Sequence, residues 1–250
     1  MKSILLTGGT GRLGKAIIES GCFRSLLAPS REALDITKPA DINKFFNNND
    51  FDLIIHCAAL ARMKECQENP AKAIQTNITG TCNLVVETLK KEKSLKKSIR
   101  FIHISTDGVY QGTRGNYNEN DETIPYNIYG WTKLGAECAI NALSNFCIIR
   151  TSFFDPKNIK FDASAADSFS SRIEIGCLVE AIAKLANHNF VGTINVGGEK
   201  KSEYDHYKEF KPSLRSCSQK DILKTTGIPM AIDASMDCGV WETVKKNEKY

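Results

Sequence analysis

Lys2-Ser3-Ile4-Leu5-Leu6-Thr7-Gly8-Gly9-Thr10-Gly11-Arg12-Leu13-Gly14 is a short apolar stretch that runs straight into a turn with glycines at positions 8, 11 and 14. The pattern predicts a buried strand near 3–7 and a helix near 12–20. Glycine lets the backbone turn tightly and come close to a ligand. The helix that follows turns its free amides and positive dipole end toward a pyrophosphate. Gly8, Gly11, Arg12, Leu13 and Gly14 therefore form a candidate dinucleotide-binding turn, on condition that a strand precedes it and a helix follows.

Outward from that turn, apolar strand-like runs alternate with helical patterns. Further strands are expected near 24–28, 52–56, 99–105, 146–151 and 192–196, with helices near 39–47, 70–91, 127–143 and 173–187. Such alternation implies an α/β chain with a Rossmann-like, doubly wound parallel sheet. Residues 1–155 read as the dinucleotide-binding domain. Residues 156–250 read as a small C-terminal substrate lobe, interleaved with 173–196, which returns to the core. Thr37 before Lys38-Pro39 and Asn69 before Pro70 read as capping side chains ahead of a first-turn proline.

The length, 250 residues, suits one such unit with a small appended lobe. A net charge of +4 over 33 basic and 29 acidic residues makes no large one-signed field, so neither a nucleic-acid nor a membrane partner is expected. Lys90, Lys91, Lys93, Lys96, Lys97 and Arg100 form a dense basic run without interleaved aromatics, which reads as a solvated face. The nine cysteines are odd in number and never occur as C-x-x-C. Cys57, Cys138 and Cys147 lie in apolar runs and are expected to be buried free thiols, which points to a reduced, cytoplasmic compartment and no metal site. No apolar run approaches the ~20 residues needed to cross a bilayer, so the protein is expected to be soluble.

Pro29-Ser30-Arg31 follows the second strand, where a site preferring NAD would place an acidic side chain on the adenosine ribose. Arg31 there, with Arg12 in the glycine turn, suits a 2′-phosphate and favours NADP(H), with NAD(H) as the alternative. The plainer reading leaves both arginines as exposed surface. Asp35-Ile36 is placed to meet the adenine edge. The small residues Cys57, Ala58 and Ala59 after the third strand let a cofactor lie close to the sheet.

The strand Arg100-Phe101-Ile102-His103-Ile104 ends in Ser105-Thr106-Asp107, polar side chains at the sheet edge where ligands bind in this architecture. Tyr129-Gly130-Trp131-Thr132-Lys133 then opens a helix with Tyr129 and Lys133 at i and i+4, on one face. A phenol titrates at about 10 on its own, and a neighbouring ammonium lowers that value. The Tyr129–Lys133 pair with Thr106 thus reads as a proton-transfer site, although a Tyr-x-x-x-Lys spacing alone fits any amphipathic helix.

The ordered set Gly8-x-x-Gly11-x-x-Gly14, Ala33-Leu34-Asp35-Ile36-Thr37, Cys57-Ala58-Ala59, Thr76-Asn77, Ser105-Thr106-Asp107 and Tyr129-x-x-x-Lys133 resembles the extended short-chain dehydrogenase/reductases. Ile104-Ser105-Thr106-Asp107, Gly112-Thr113, the acidic loop from Glu119 to Glu122, Pro125, Asn127-Ile128-Tyr129-Gly130 and Arg150-Thr151-Ser152 are similar, more narrowly, to the dTDP-4-dehydrorhamnose reductases. The likeness covers residues 3 to about 155. It implies reduction of the 4-keto group of a nucleotide-linked 6-deoxyhexose by hydride from a nicotinamide. Tyr129 would supply the proton, and Lys133 would hold the nicotinamide ribose and tune the phenol. Thr106 would bond the carbonyl, Asp107 a sugar hydroxyl, and Asn77 would order nearby water or the helix beside the cofactor, if it does not merely cap or turn the chain.

Three positions depart from that family. Gly108 replaces an aromatic, Phe153 at the substrate end replaces a tryptophan, and Lys211 replaces an arginine; the chain after 155 is also short. A nucleotide-sugar epimerase or dehydratase of the same superfamily, and a noncatalytic NADP-binding regulatory subunit, are the competing readings. The resemblance implies a nucleotide-sugar partner and leaves a homodimer as the candidate assembly.

Overall fold

The computed structural model describes residues 3–246. Strands Ile4–Thr7 (β1), Leu26–Leu27 (β2), Leu53–His56 (β3), Arg100–Ile104 (β4) and Phe146–Thr151 (β5) come first in the chain. Then follow Phe153–Phe154 (β6), Ala163–Ala165 (β7), Phe169–Ser170 (β8), Ile173–Glu174 (β9), Gly192–Val196 (β10), Lys201–Ser202 (β11) and Arg215–Cys217 (β12). Six of them make one parallel sheet in the order β10-β5-β4-β3-β1-β2. The doubly wound sheet read from the alternation is therefore present. Strand order reverses between β1 and β3, so the loops after these two strands open the crevice in which this architecture places ligands.

Period-2 alternation sends strand side chains to two cores. Ile4, Leu6, Ile55, Ile102, Ile104 and Ile149 pack with Leu13 and Ile17 of helix Arg12–Glu19 (α1) on one face. Leu5, Ile54, Phe101 and Ile148 pack on the other. There they meet Ile42 and Phe46 of Pro39–Asn48 (α2), and Leu84 and Val85 of a long helix between β3 and β4. The wedge between β3 and β4 is more broken than a single helix over 70–91. Met63–Glu68 (α3) and Pro70–Ala73 (α4) lead into a π-helical turn, Ile74–Thr79, before Gly80–Leu95 (α5). Asn77 sits in that wide turn, and its freed carbonyl oxygen accepts from Thr81 Oγ1 at 2.6 Å.

Neither capping expectation holds. Lys38 is the N-cap of α2 without a side-chain bond, because the Thr37 hydroxyl donates instead to Asp35 Oδ1. Asn69 precedes Pro70 without a capping bond from its side chain. The N-terminal end of the 173–187 segment is also a strand: β9 pairs with β6, and the helix is Ile175–Asn187 (α7). Ile128–Ile140 (α6) is capped by Asn127, whose side chain accepts from Gly130 N at 2.8 Å. Its inner face carries Thr132, Lys133, Ala136, Glu137 and Ile140. Cys138 falls on the opposite face and is exposed, contrary to expectation, whereas Cys147 on central strand β5 is buried and Cys57 half-buried. No helix among the described residues is long and apolar enough to cross a membrane.

Candidate functional site

The glycine turn is built by close approach. Gly8 takes φ +75°, and a Cβ there would stand 2.6 Å from Ala58 N. A Cβ on Gly14 would meet Gly8 O at 2.2 Å, so α1 can begin this close to the strand only with glycine. Gly11 packs less tightly, its nearest atom 3.2 Å away. Beside this turn lies a cavity of about 210 Å³, lined by Gly8, Gly9 and Gly11 of the turn, by Arg31, Asp35 and Ile36, and by Cys57, Ala58 and Ala59. The structure thus brings most of the expected cofactor residues to one crevice.

Six do not line it: Arg12, Leu13 and Gly14 of the turn, and Asn77, Tyr129 and Lys133, which are described below. Leu13 is buried in the core beneath α1, and Gly14 serves the packing just described. Arg12 does not line the cavity; its charge acts on Tyr207. Arg31 is exposed and donates from Nε to Asp35 Oδ2 at 3.3 Å. Burial would raise the Asp35 carboxyl, but the Thr37 hydroxyl and amide, with Arg31, outweigh it and hold the group below its usual range.

At the carboxyl end of β4, Thr106 is 7% exposed; its Oγ1 accepts from Gly108 N and donates to Asp107 Oδ1, each at 3.1 Å. A Cβ on Gly130 would stand 2.1 Å from Gly108 O, so α6 starts pressed against this turn. That contact holds Tyr129 within reach of the Asp107 charge. Burial pushes the Asp107 carboxyl up to about 6, against the pull of the Arg172 guanidinium. Burial, then Asp107, then Cys66 push the Tyr129 phenol above its ordinary value. Sequence reasoning expected Lys133 to lower that value; instead the Lys133 ammonium lies 3.1 Å from His103 Nε2, and the charges acting on the phenol are negative. Burial draws Lys133 down to about 8, with Glu137 opposing.

Asn77 is 1% exposed, and its amide is fully engaged. Oδ1 accepts from Leu60 N at 2.7 Å, while Nδ2 donates to Leu60 O and, at 2.8 Å, to Thr132 Oγ1. Its side chain fastens the loop after β3 to α6 and does not line the cavity. Phe153 is half-buried on β6 against the apolar core, beside the chain that carries Arg172.

Two features escaped sequence reasoning. Glu137, one turn beyond Lys133, is 3% exposed; it accepts from Arg150 Nη2 at 2.8 Å and from the Ser105 hydroxyl. A carboxylate one turn beyond Lys133, on the same buried face of the helix, was the available signal. The second is Arg172, whose Nε donates to both oxygens of Glu203 at 3.0 and 2.8 Å. It was hidden because it lies in the loop just before β9 and its partner is far away in the chain.

A profile of the RmlD substrate binding domain matches residues 1–162. A dTDP-4-dehydrorhamnose reductase of Mycolicibacterium smegmatis is 31% identical over 155 residues, 60% of this chain and 45% of that protein. The methionine adenosyltransferase 2 subunit beta of Rattus norvegicus is 30% identical over 148 residues, 56% of this chain and 42% of the other. The matched stretches thus span about half the length of these relatives or less. Among solved structures, a dTDP-4-dehydrorhamnose reductase of Bacillus anthracis in complex with NADP superposes with a TM-score of 0.85 at 22% identity, covering 97% of this chain and 92% of that one.

Proposed function

The chain belongs to the RmlD substrate binding domain family, and from that premise we propose that it reduces the 4-keto group of a nucleotide-activated 6-deoxyhexose with NADPH. The observation that carries the reading is the packing of Gly130 against Gly108, which holds Tyr129 within reach of the Asp107 charge, in a chain that also has a glycine-lined cavity. The residues present fit a dinucleotide: a Cβ at Gly8 would strike the Ala58 backbone, and one cavity is lined both by the glycine turn and by Arg31 and Asp35. When bound, the nicotinamide supplies the hydride.

The chain's own groups do the rest. Thr106 Oγ1 directs a hydrogen bond to the carbonyl that becomes an alkoxide. Tyr129, neutral because burial holds its proton, delivers that proton to the alkoxide oxygen. Lys133 gives charged donors to the nicotinamide ribose. Asp107 accepts from a sugar hydroxyl, and residues after 156 close over the sugar. The setting is a reducing cytoplasm. Presenting dTDP-, UDP- and GDP-linked 4-keto-6-deoxysugars with NADPH, and following loss of reduced-cofactor absorbance, tests the reading; consumption with one nucleotide series supports it, and none with any of them refutes it.

A noncatalytic NADP-binding subunit is the second reading, favoured by the 30% identity to the beta subunit of a methionine adenosyltransferase. NADPH binding without turnover of any such sugar would select it.

A further inference from the structure

On the sheet face covered by α5 and α6, Thr7, His56 and His103 stand in one row, as register partners on β1, β3 and β4. Both imidazoles are essentially without solvent contact, and their rings lie 5.2 Å apart. His56 is satisfied at both nitrogens. Thr81 Oγ1 donates to the Asn77 carbonyl at 2.6 Å, so it accepts from His56 Nε2 at 2.9 Å. Nδ1 of the neutral ring is then the acceptor and takes the Thr7 hydroxyl proton at 2.7 Å, while Thr7 Oγ1 also accepts from Ala58 N at 3.4 Å.

His103 is not satisfied in the same way. Its Nε2 is 3.1 Å from Lys133 Nζ, and its buried Nδ1 has no partner among the described residues. An ammonium has donors only, so Nε2 must accept and the single ring proton sits on Nδ1. Burial, then Lys133, then His56 keep the ring neutral, well below the ordinary histidine range. His103 is thus a fixed lone pair aimed at the ammonium. The other titratable groups that act on Lys133 are Glu137 on its own helix and Cys57 after β3. Glu137 is already held by Arg150 and Ser105, and burial keeps the Cys57 thiol protonated, at about 12. The remaining two N–H bonds of Lys133 meet no hydrogen-bond partner among the described residues.

We propose that His103 is a positioning residue: its Nε2 anchors the Lys133 ammonium from the sheet side and leaves two charged donors free for a nicotinamide ribose. The inference rests on the reductase reading only for what those two donors meet. The anchor itself is a property of this chain.

Imidazole ¹⁵N NMR tests the anchor directly. Near pH 7 the His103 signals should show one protonated and one accepting nitrogen, and Lys133→Met should shift the accepting one; an Nε2 resonance indifferent to Lys133→Met overturns the proposal. NADPH titration by fluorescence gives the second readout. His103→Phe removes the lone pair that stabilises the charged form, so affinity should fall about tenfold and its alkaline decline should begin at lower pH. His103→Gln, whose amide oxygen can accept, should recover most of both. Wild-type affinity with an unmoved pH limb in a folded His103→Phe overturns the proposal, as does failure of Gln to do better than Phe. If these effects appear but no 4-keto sugar is reduced, the anchor stands and the reductase reading falls; turnover with an indifferent His103 gives the reverse.

Discussion

Arg150, at the end of β5, and Glu137, on α6, face each other across the interior with Nη2 and Oε2 2.8 Å apart and side chains 8% and 4% exposed. Arg150 Nε spans both carboxylate oxygens at 3.2 Å, and Ser105 on the loop after β4 donates to the same group. Arg150 Nη1 continues to the Tyr110 hydroxyl at 3.0 Å, which in turn donates to Asn195 Oδ1. This network fixes α6 over the carboxyl ends of β4 and β5. It therefore fixes where Tyr129 and Lys133 stand.

Removing one partner of a buried pair strands the other charge. Glu137→Ala is expected to cost about 3–5 kcal/mol of stability, the scale for an orphaned buried ion. The double variant Glu137→Leu with Arg150→Met should recover a large part of that loss. Denaturant unfolding decides, and a single variant within 1 kcal/mol of wild type, on the same scale, would show that the network does not hold the helix.

Arg31 lines the cavity and Arg12 does not. The protein is expected to bind NADPH more tightly than NADH, and Arg31→Ala should narrow the gap by about 1 kcal/mol, a reduced charge-assisted contact because the side chain is largely solvated. Arg12→Ala should leave the preference unchanged. Equilibrium titration with both cofactors checks this; an Arg31→Ala variant with its preference intact would place the phosphate contact elsewhere.

The Asp107 carboxyl titrates in the fold at about 6, raised from 3.8 chiefly by burial. Its protonated form is favoured in the folded state, so the associated stability is full below 3.8 and is lost as pH rises through about 6. Asp107→Asn, which still accepts from Thr106, should raise the melting temperature at pH 7 and give little gain near pH 4. An equal effect at both values would show that the charged form carries no burial cost.

The sheet was legible because its strands are short apolar runs punctuated by glycine, and Gly8, Gly11 and Gly14 have few other uses at that spacing. Tyr129 and Lys133 were legible through helical periodicity, and Thr106-Asp107 through their place at a strand end. The interior polar residues were harder to read. Asn77 looks like a surface or cofactor residue until the π-helical turn buries it against Leu60 and Thr132. His103 alternates with Ile102 and Ile104 as any core-facing residue would, and only the helix packed above shows that its neighbour is a lysine. Arg172 and Glu203 are 31 positions apart, a pairing that no local pattern announces.

Tyr129 has no hydrogen-bond partner for its hydroxyl among the described residues, and its phenol is neutral at physiological pH. Tyr129→Phe should therefore abolish turnover while leaving NADPH affinity nearly unchanged, since the proton is needed chiefly in the transition state. Surviving reductase activity in that variant would remove the assigned proton donor.

Hydride delivery to the sugar carbon is the central claim, and deuterium tracing reads it without reliance on absorbance. Purified protein is incubated with NADPH carrying two deuterons at nicotinamide C4 and with each 4-keto-6-deoxysugar nucleotide, and the product is examined by mass spectrometry and proton NMR. The account predicts a product one mass unit heavier than that formed with unlabelled NADPH, with deuterium at sugar C4. A wild-type protein that binds NADPH yet places no deuterium on any of these sugars would contradict it.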